Sequence, residues 1–81
     1  MQIRVKLFAL AKQIAGSEVV ELSVPAPARV QDVRSELARA FPSLAGLVPQ
    51  MLIAVDSVYA ADSAAVLEKS EVACIPPVSG G

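Results

Sequence analysis

Ile3, Val5, Leu7 and Ala9 alternate with Gln2, Arg4, Lys6 and Phe8. That is the period-two pattern of a strand with one face covered. Phe8 breaks it, because it places an aromatic ring on the polar face. Residues 10–15 have room for one or two helical turns, with Leu10 and Ile14 four apart and Gly16 as a stop. Val20, Leu22 and Val24 alternate with Val19, Glu21 and Ser23 to give a second strand, ended by the stiff connector Pro25-Ala26-Pro27. Val30, Val33, Leu37, Ala40 and Phe41 then follow helical spacing. Asp32 suits the first turn of that helix and Pro42 closes it. No Ser, Thr, Asp or Asn stands where an N-cap is wanted.

Residues 43–49 read as a loop or a short helical turn. Residues 51–55 form an unbroken apolar run with β-branched members, the pattern of a strand covered on both faces. Asp56-Ser57 reads as a turn and Val58-Tyr59-Ala60 as a short strand. Residues 61–70 are loop, pinned by Val66 and Leu67. Residues 72–75 form a last strand, closed by Pro76-Pro77. One amphipathic helix covers one face of a sheet, so the order strand, strand, helix and three short strands predicts a two-layer α+β domain. The first and last strands are candidates to pair. Eighty-one residues make a single domain, with no internal repeat.

Composition narrows the chemistry. The chain is 54% hydrophobic, 19% charged and of net charge −1, with a mean hydropathy of +0.56, the reverse of a disordered composition. A sequence pI near 5.2 argues against nucleic acid as a partner, since that takes a basic stripe. With no histidine, Ser-His-Asp triads and imidazole–metal sites are excluded. No CxxC or paired carboxylates stand in for them, so no metal site is expected. A single cysteine, Cys74, forms no internal disulfide and fits a reducing compartment. The N-terminal alternation is unlike a signal peptide. The longest charge-free stretch, residues 40–55, is shorter than the ~20 residues of a membrane helix. The expected location is cytoplasmic, without membrane contact.

Phe8, Tyr59 and Cys74 have two readings each, and Ile75 and the arginines one. Phe8 and Tyr59 are partner contacts or side chains covered by neighbouring loops. Ile75 is a partner contact by position. Cys74 is a persulfide carrier or, as buried cysteines usually are, a small hydrophobe. Arg29, Arg34 and Arg39 interleave with Asp32 and Glu36, the pattern of a solvated helix face.

The chain ends Pro76-Pro77-Val78-Ser79-Gly80-Gly81. At about 7% glycine in average sequence, a terminal Gly-Gly arises by chance in roughly 0.5% of chains. Pro76-Pro77 have no N–H to extend a ladder, so they hold the chain straight. Residues 77–81 then read as a flexible tail reaching about 15–18 Å. Gly80 and Gly81 lack side chains and fit a narrow slot, and the Gly81 carboxylate is sterically open to a nucleotide phosphate or a sulfur nucleophile.

Residues 71–81, with Val5-Lys6-Leu7-Phe8-Ala9 and Ala15-Gly16, resemble the small subunit of molybdopterin synthase, a family of β-grasp, ubiquitin-like sulfur carriers. The likeness spans the chain in length and element order. Ala54-Val55-Asp56 stands where that family often has Asn, Glu68-Lys69-Ser70 where it often has Asp-Gly-Asp, and Cys74-Ile75 where aromatics are common. The resemblance implies a mixed sheet of about five strands with one main helix on one face. It implies that an E1-like adenylyltransferase adenylates Gly81 with ATP, and that a sulfur donor system converts the adenylate to a thiocarboxylate. The tail Pro77, Val78, Ser79, Gly80 and Gly81 then enters the large synthase subunit and gives sulfur to cyclic pyranopterin monophosphate, forming the molybdopterin dithiolene. The family assembles as two small and two large subunits. No cofactor is bound permanently, and the carrier is not catalytic alone. A thiamine-pathway sulfur carrier, a ubiquitin-like protein modifier and a plain interaction module remain as alternatives.

Overall fold

The computed structural model describes residues 1–77. Alternation along Gln2–Leu7 (β1) buries Ile3, Val5 and Leu7 and leaves Gln2, Arg4 and Lys6 in solvent. Val19–Ser23 (β2) does the same with Val20 and Leu22. The two pair antiparallel, Ile3 opposite Leu22 and Val5 opposite Val20. Ala9 does not continue the first strand. Its φ of 50° turns the chain out of the sheet and begins a helix, Ala9–Ala15 (α1). Gly16 ends that helix in the left-handed conformation glycine favours, its N–H donating to the Lys12 carbonyl at 2.9 Å.

The predicted main helix is Val30–Ala40 (α2), with Val33 and Leu37 fully buried against the sheet. Its missing cap is explained by its neighbours. The N–H groups of Val30 and Gln31 donate to the Ala64 and Asp62 carbonyls at 3.0 Å each, and the Asp32 carboxylate accepts the Arg29 N–H at 2.8 Å. Two orphan donors at the helix start are met by the backbone of a distant loop and the Arg29 N–H by Asp32, so no Ser, Thr, Asp or Asn is needed at the N-cap itself. That loop includes a two-residue strand, Ala65–Val66 (β6), paired antiparallel with Ala28–Arg29 (β3). Segments that short carry no readable period, and the sequence pattern does not anticipate the ladder. Val66 pins the loop as expected, whereas Leu67 is 68% exposed and does not. Arg34 also differs from expectation. Its side chain is 20% exposed and donates to the Val48 and Met51 carbonyls at 2.8 Å each, so it is no solvated-face arginine.

Two single 3-10 turns, Pro42–Leu44 and Val48–Gln50, lead to Leu52–Val55 (β4). The expectation that both faces of this run are covered fails at Leu52, which is 50% exposed. Only one face of the sheet has a helical layer. Asp56 and Ser57, with φ of 51° and 68°, make the tight turn that matches strand twist and returns the chain as Val58–Tyr59 (β5). Val72–Ile75 (β7) enters the middle of the sheet, parallel to β1 and antiparallel to β4. The order is β2-β1-β7-β4-β5, five strands in a mixed sheet. All buried residues in the core are apolar.

Candidate functional site

β7 is the central strand, held on both sides, and it carries the chain terminus. Cys74 is opposite Leu7 on one side and Ile53 on the other. Beyond Ile75, Pro76 and Pro77 have no N–H to give to the ladder. Pro76 is buried and Pro77 exposed. The predicted tail residues Val78, Ser79, Gly80 and Gly81 lie outside the described residues. Pro77 is thus the last described point of the predicted tail.

Phe8 follows β1 in extended conformation (φ −122°, ψ 156°) and is 44% exposed, and its N–H donates to the Cys74 carbonyl at 3.3 Å. One step past the Leu7–Cys74 pair, Phe8 comes level with Ile75, and Ile75 is directly opposite Leu52. Alternation puts all three on the face away from α2. Tyr59, 66% exposed, is opposite Ala54 on the same face. The structure therefore sets two of the three expected contact residues, Phe8 and Ile75, beside the root of the terminus and adds Leu52, whereas Tyr59 stands farther off on the same face, on the edge strand level with Ala73. An unbroken apolar run hides which side of a strand is open, so Leu52 gave no signal.

Next to this apolar end the same face forms a shallow hollow of about 670 Å³, where Arg4, Lys6, Glu21, Lys69 and Glu71 bring charges of both signs. Cys74 is fully buried, and burial pushes its thiol up to about 12, with Arg34 opposing weakly. It is an uncharged core side chain at neutral pH, with no thiolate to carry sulfur. Among the described residues, no cluster of three His, Cys, Asp or Glu is placed to hold a metal ion. No helix among them is long and apolar enough to cross a membrane.

A mixed five-stranded sheet, one main helix across one face and a terminus leaving the central strand define the β-grasp, ubiquitin-like class. The ThiS family model matches residues 5–81, and the chain belongs to that family. The molybdopterin synthase sulfur carrier subunit of Arabidopsis thaliana is 37% identical over all of this chain and 84% of its own. SAMP1 of Haloferax volcanii, a small archaeal modifier protein, is 30% identical with a TM-score of 0.87, covering both chains completely. A chain in the complex of subunits 1 and 2 of the Helicobacter pylori molybdopterin-converting factor shares the fold over both full lengths, at TM-score 0.70 and 17% identity.

Proposed function

We propose that this chain is the sulfur carrier subunit of molybdopterin synthase, acting in molybdenum cofactor biosynthesis. The observation that carries the reading is full-length identity of 37% to a curated carrier subunit in a chain whose central strand runs into Pro-Pro-Val-Ser-Gly-Gly. The carrier supplies a carboxylate and a way to deliver it. An oxygen of Gly81 attacks the α-phosphorus of ATP on an E1-like partner, and pyrophosphate leaves. Hydrosulfide supplied by the sulfur donor system then attacks the acyl carbon and AMP leaves, giving a thiocarboxylate and a proton with no change of oxidation state. Splitting the exchange of oxygen for sulfur into two displacements gives each step a good leaving group. The charged tail enters the large subunit and gives its sulfur to cyclic pyranopterin monophosphate.

The apolar side chains Phe8, Ile75 and Leu52, with Tyr59 farther along the same face, suit docking of the tail-accepting partner, since the first three lie beside the point where the terminus leaves. Apolar anchors of this kind dominate binding energy when they are desolvated. The partners are the large subunit, with two copies of each chain, and the E1-like enzyme. ATP is used only on the latter. Catalytic side chains belong to the partners, in keeping with a chain that has no histidine.

Intact mass after incubation with the E1-like enzyme, ATP and a sulfur donor tests the reading. The expected result is a gain matching exchange of one oxygen for sulfur, mapped to Gly81. No gain with an enzyme shown active on another carrier sinks it. Adding the large subunit and the pterin precursor then separates this pathway from thiamine synthesis. A second reading, a ubiquitin-like protein modifier, is favoured by the likeness to the archaeal modifier. It predicts isopeptide bonds from Gly81 to lysines of cellular proteins.

A further inference from the structure

α1 is built inside out. Its small residue Ala11 is fully buried, whereas its large ones, Leu10 and Ile14, are 49% and 39% exposed. Amphipathic helices normally turn the large apolar residues inward, and an uncovered apolar stripe on a domain surface usually marks contact with another molecule. The position of this stripe indicates which molecule. β1 and β7 run parallel, so α1, which follows β1, begins at the end of the sheet where β7 releases the terminus. The Phe8 N–H to Cys74 carbonyl bond fixes that junction, and α1 packs beside β7. The open-face side chains Phe8, Ile75 and Leu52 border the terminus root, and Leu10 comes two residues after Phe8. α1 also packs against the turn that follows α2, so Leu10 and Ile14 add a second apolar surface at the end of the sheet from which the terminus leaves.

We infer that α1 is the second wall of the docking surface, and that Leu10 and Ile14 are covered by the large subunit that accepts the tail. This rests on the sulfur-carrier reading and extends its contact surface. The only charged side chain on α1 is Lys12, so the matching partner surface is apolar with an acidic margin. A lasting complex buries about 800 Å² per partner, more than a handful of half-exposed side chains on the sheet supplies, and the helix stripe enlarges that area.

The experiment measures the affinity of the full chain for purified large subunit by calorimetry. The variants are Leu10→Gln/Ile14→Gln and, as a control at an equally exposed leucine elsewhere, Leu67→Gln. Both should melt as the wild type does, since exposed positions tolerate polar residues. The double variant should bind about tenfold or more weakly, and Leu67→Gln within about twofold of wild type. Should the double variant lose its melting transition, Leu10→Gln alone is scored, with about a threefold loss expected. Unchanged affinity in the folded variant overturns the inference. So does a concentration-dependent wild-type dimer that the double substitution abolishes, which would assign the stripe to a second copy of this chain. If the wild type itself fails to bind the large subunit, the sulfur-carrier reading fails first and this inference falls with it.

Discussion

Cys74 has the chain's only thiol, and burial makes it a stability device rather than a reagent. Its folded pKa of about 12 lies above the ordinary 9.0, so the folded state holds the proton more tightly than the unfolded one. The native state is therefore unaffected by this group below pH 9. Above it the unfolded chain ionises first, and stability falls until the folded thiol also ionises near 12. The wild type should lose ~1.4 kcal/mol per pH unit across that window relative to Cys74→Ala, in urea titrations at several pH values. Native Cys74 should also resist alkylation at pH 8 and react once the chain is denatured. Asp56 is a second residue whose role its surroundings define. Its φ of 51° lies where Asn and Asp outdo other side chains. Its N–H donates to the Glu71 carbonyl at 2.8 Å and its carboxylate accepts the Glu71 N–H at 2.9 Å. Asp56→Asn keeps both the acceptor and the backbone preference and should be neutral within ~0.5 kcal/mol. Asp56→Ala loses both and should cost about 1–2 kcal/mol by urea denaturation. The same logic explains how this chain departs from the Asn that the resemblance leads one to expect.

Among the elements, α2 shows how far periodicity reaches. Val30, Val33 and Leu37 reveal the helix and its buried face, because a 3.6-residue repeat is local information. Its start is not legible, because the acceptors that replace a cap come from residues 62 and 64, over thirty positions away in sequence. Arg34 departs from its pattern for a related reason. Interleaved charges suggest a solvated face, yet the two carbonyls it meets belong to chain after the helix. The contrast between its partners yields a prediction. Arg34→Met strips donors from the carbonyls of Val48 and Met51 and should cost about 2–3 kcal/mol in urea. Asp62→Asn weakens only the exposed ion pair at 2.8 Å and should cost less than ~1 kcal/mol. At the sheet, Phe8 stands out because it interrupts a polar pattern and Tyr59 because it is one of three aromatics in the chain, and the structure sets both on the open face. Leu52 sits within a uniform run, and Leu10 and Ile14 look like an ordinary helical pair. In each of those cases the missing information is which surface the rest of the fold leaves uncovered, and that depends on layer count rather than on local spacing.

At the scale of the molecule, stability and delivery are separable. Among the described residues the apolar core cluster runs from Ile3 to Cys74, and Pro76 is the one buried residue after it. The chemistry proposed for the chain depends instead on its terminal glycines. A carrier needs this separation, because a terminus that contributed to the core would have to unfold its own domain each time it entered a partner. Placing the exit on the central strand adds rigidity, since β7 is bonded on both sides and local fraying is rarest where a strand has two neighbours. The tail is thereby presented from a fixed origin beside Phe8, Ile75 and Leu52. The consequence is a clean dissociation of two measurements. A variant lacking Gly80 and Gly81 should keep its thermal midpoint within about 1 °C, since glycine has no side chain to pack in a core. It should show no sulfur gain by intact mass with the E1-like enzyme, ATP and donor. Tyr59→Ser, at an exposed position, should likewise keep its stability within ~0.5 kcal/mol while binding the large subunit more weakly. A truncated chain that melts several degrees lower would mean that the terminus packs on the domain, and the delivery argument would then have to begin with how the tail is released.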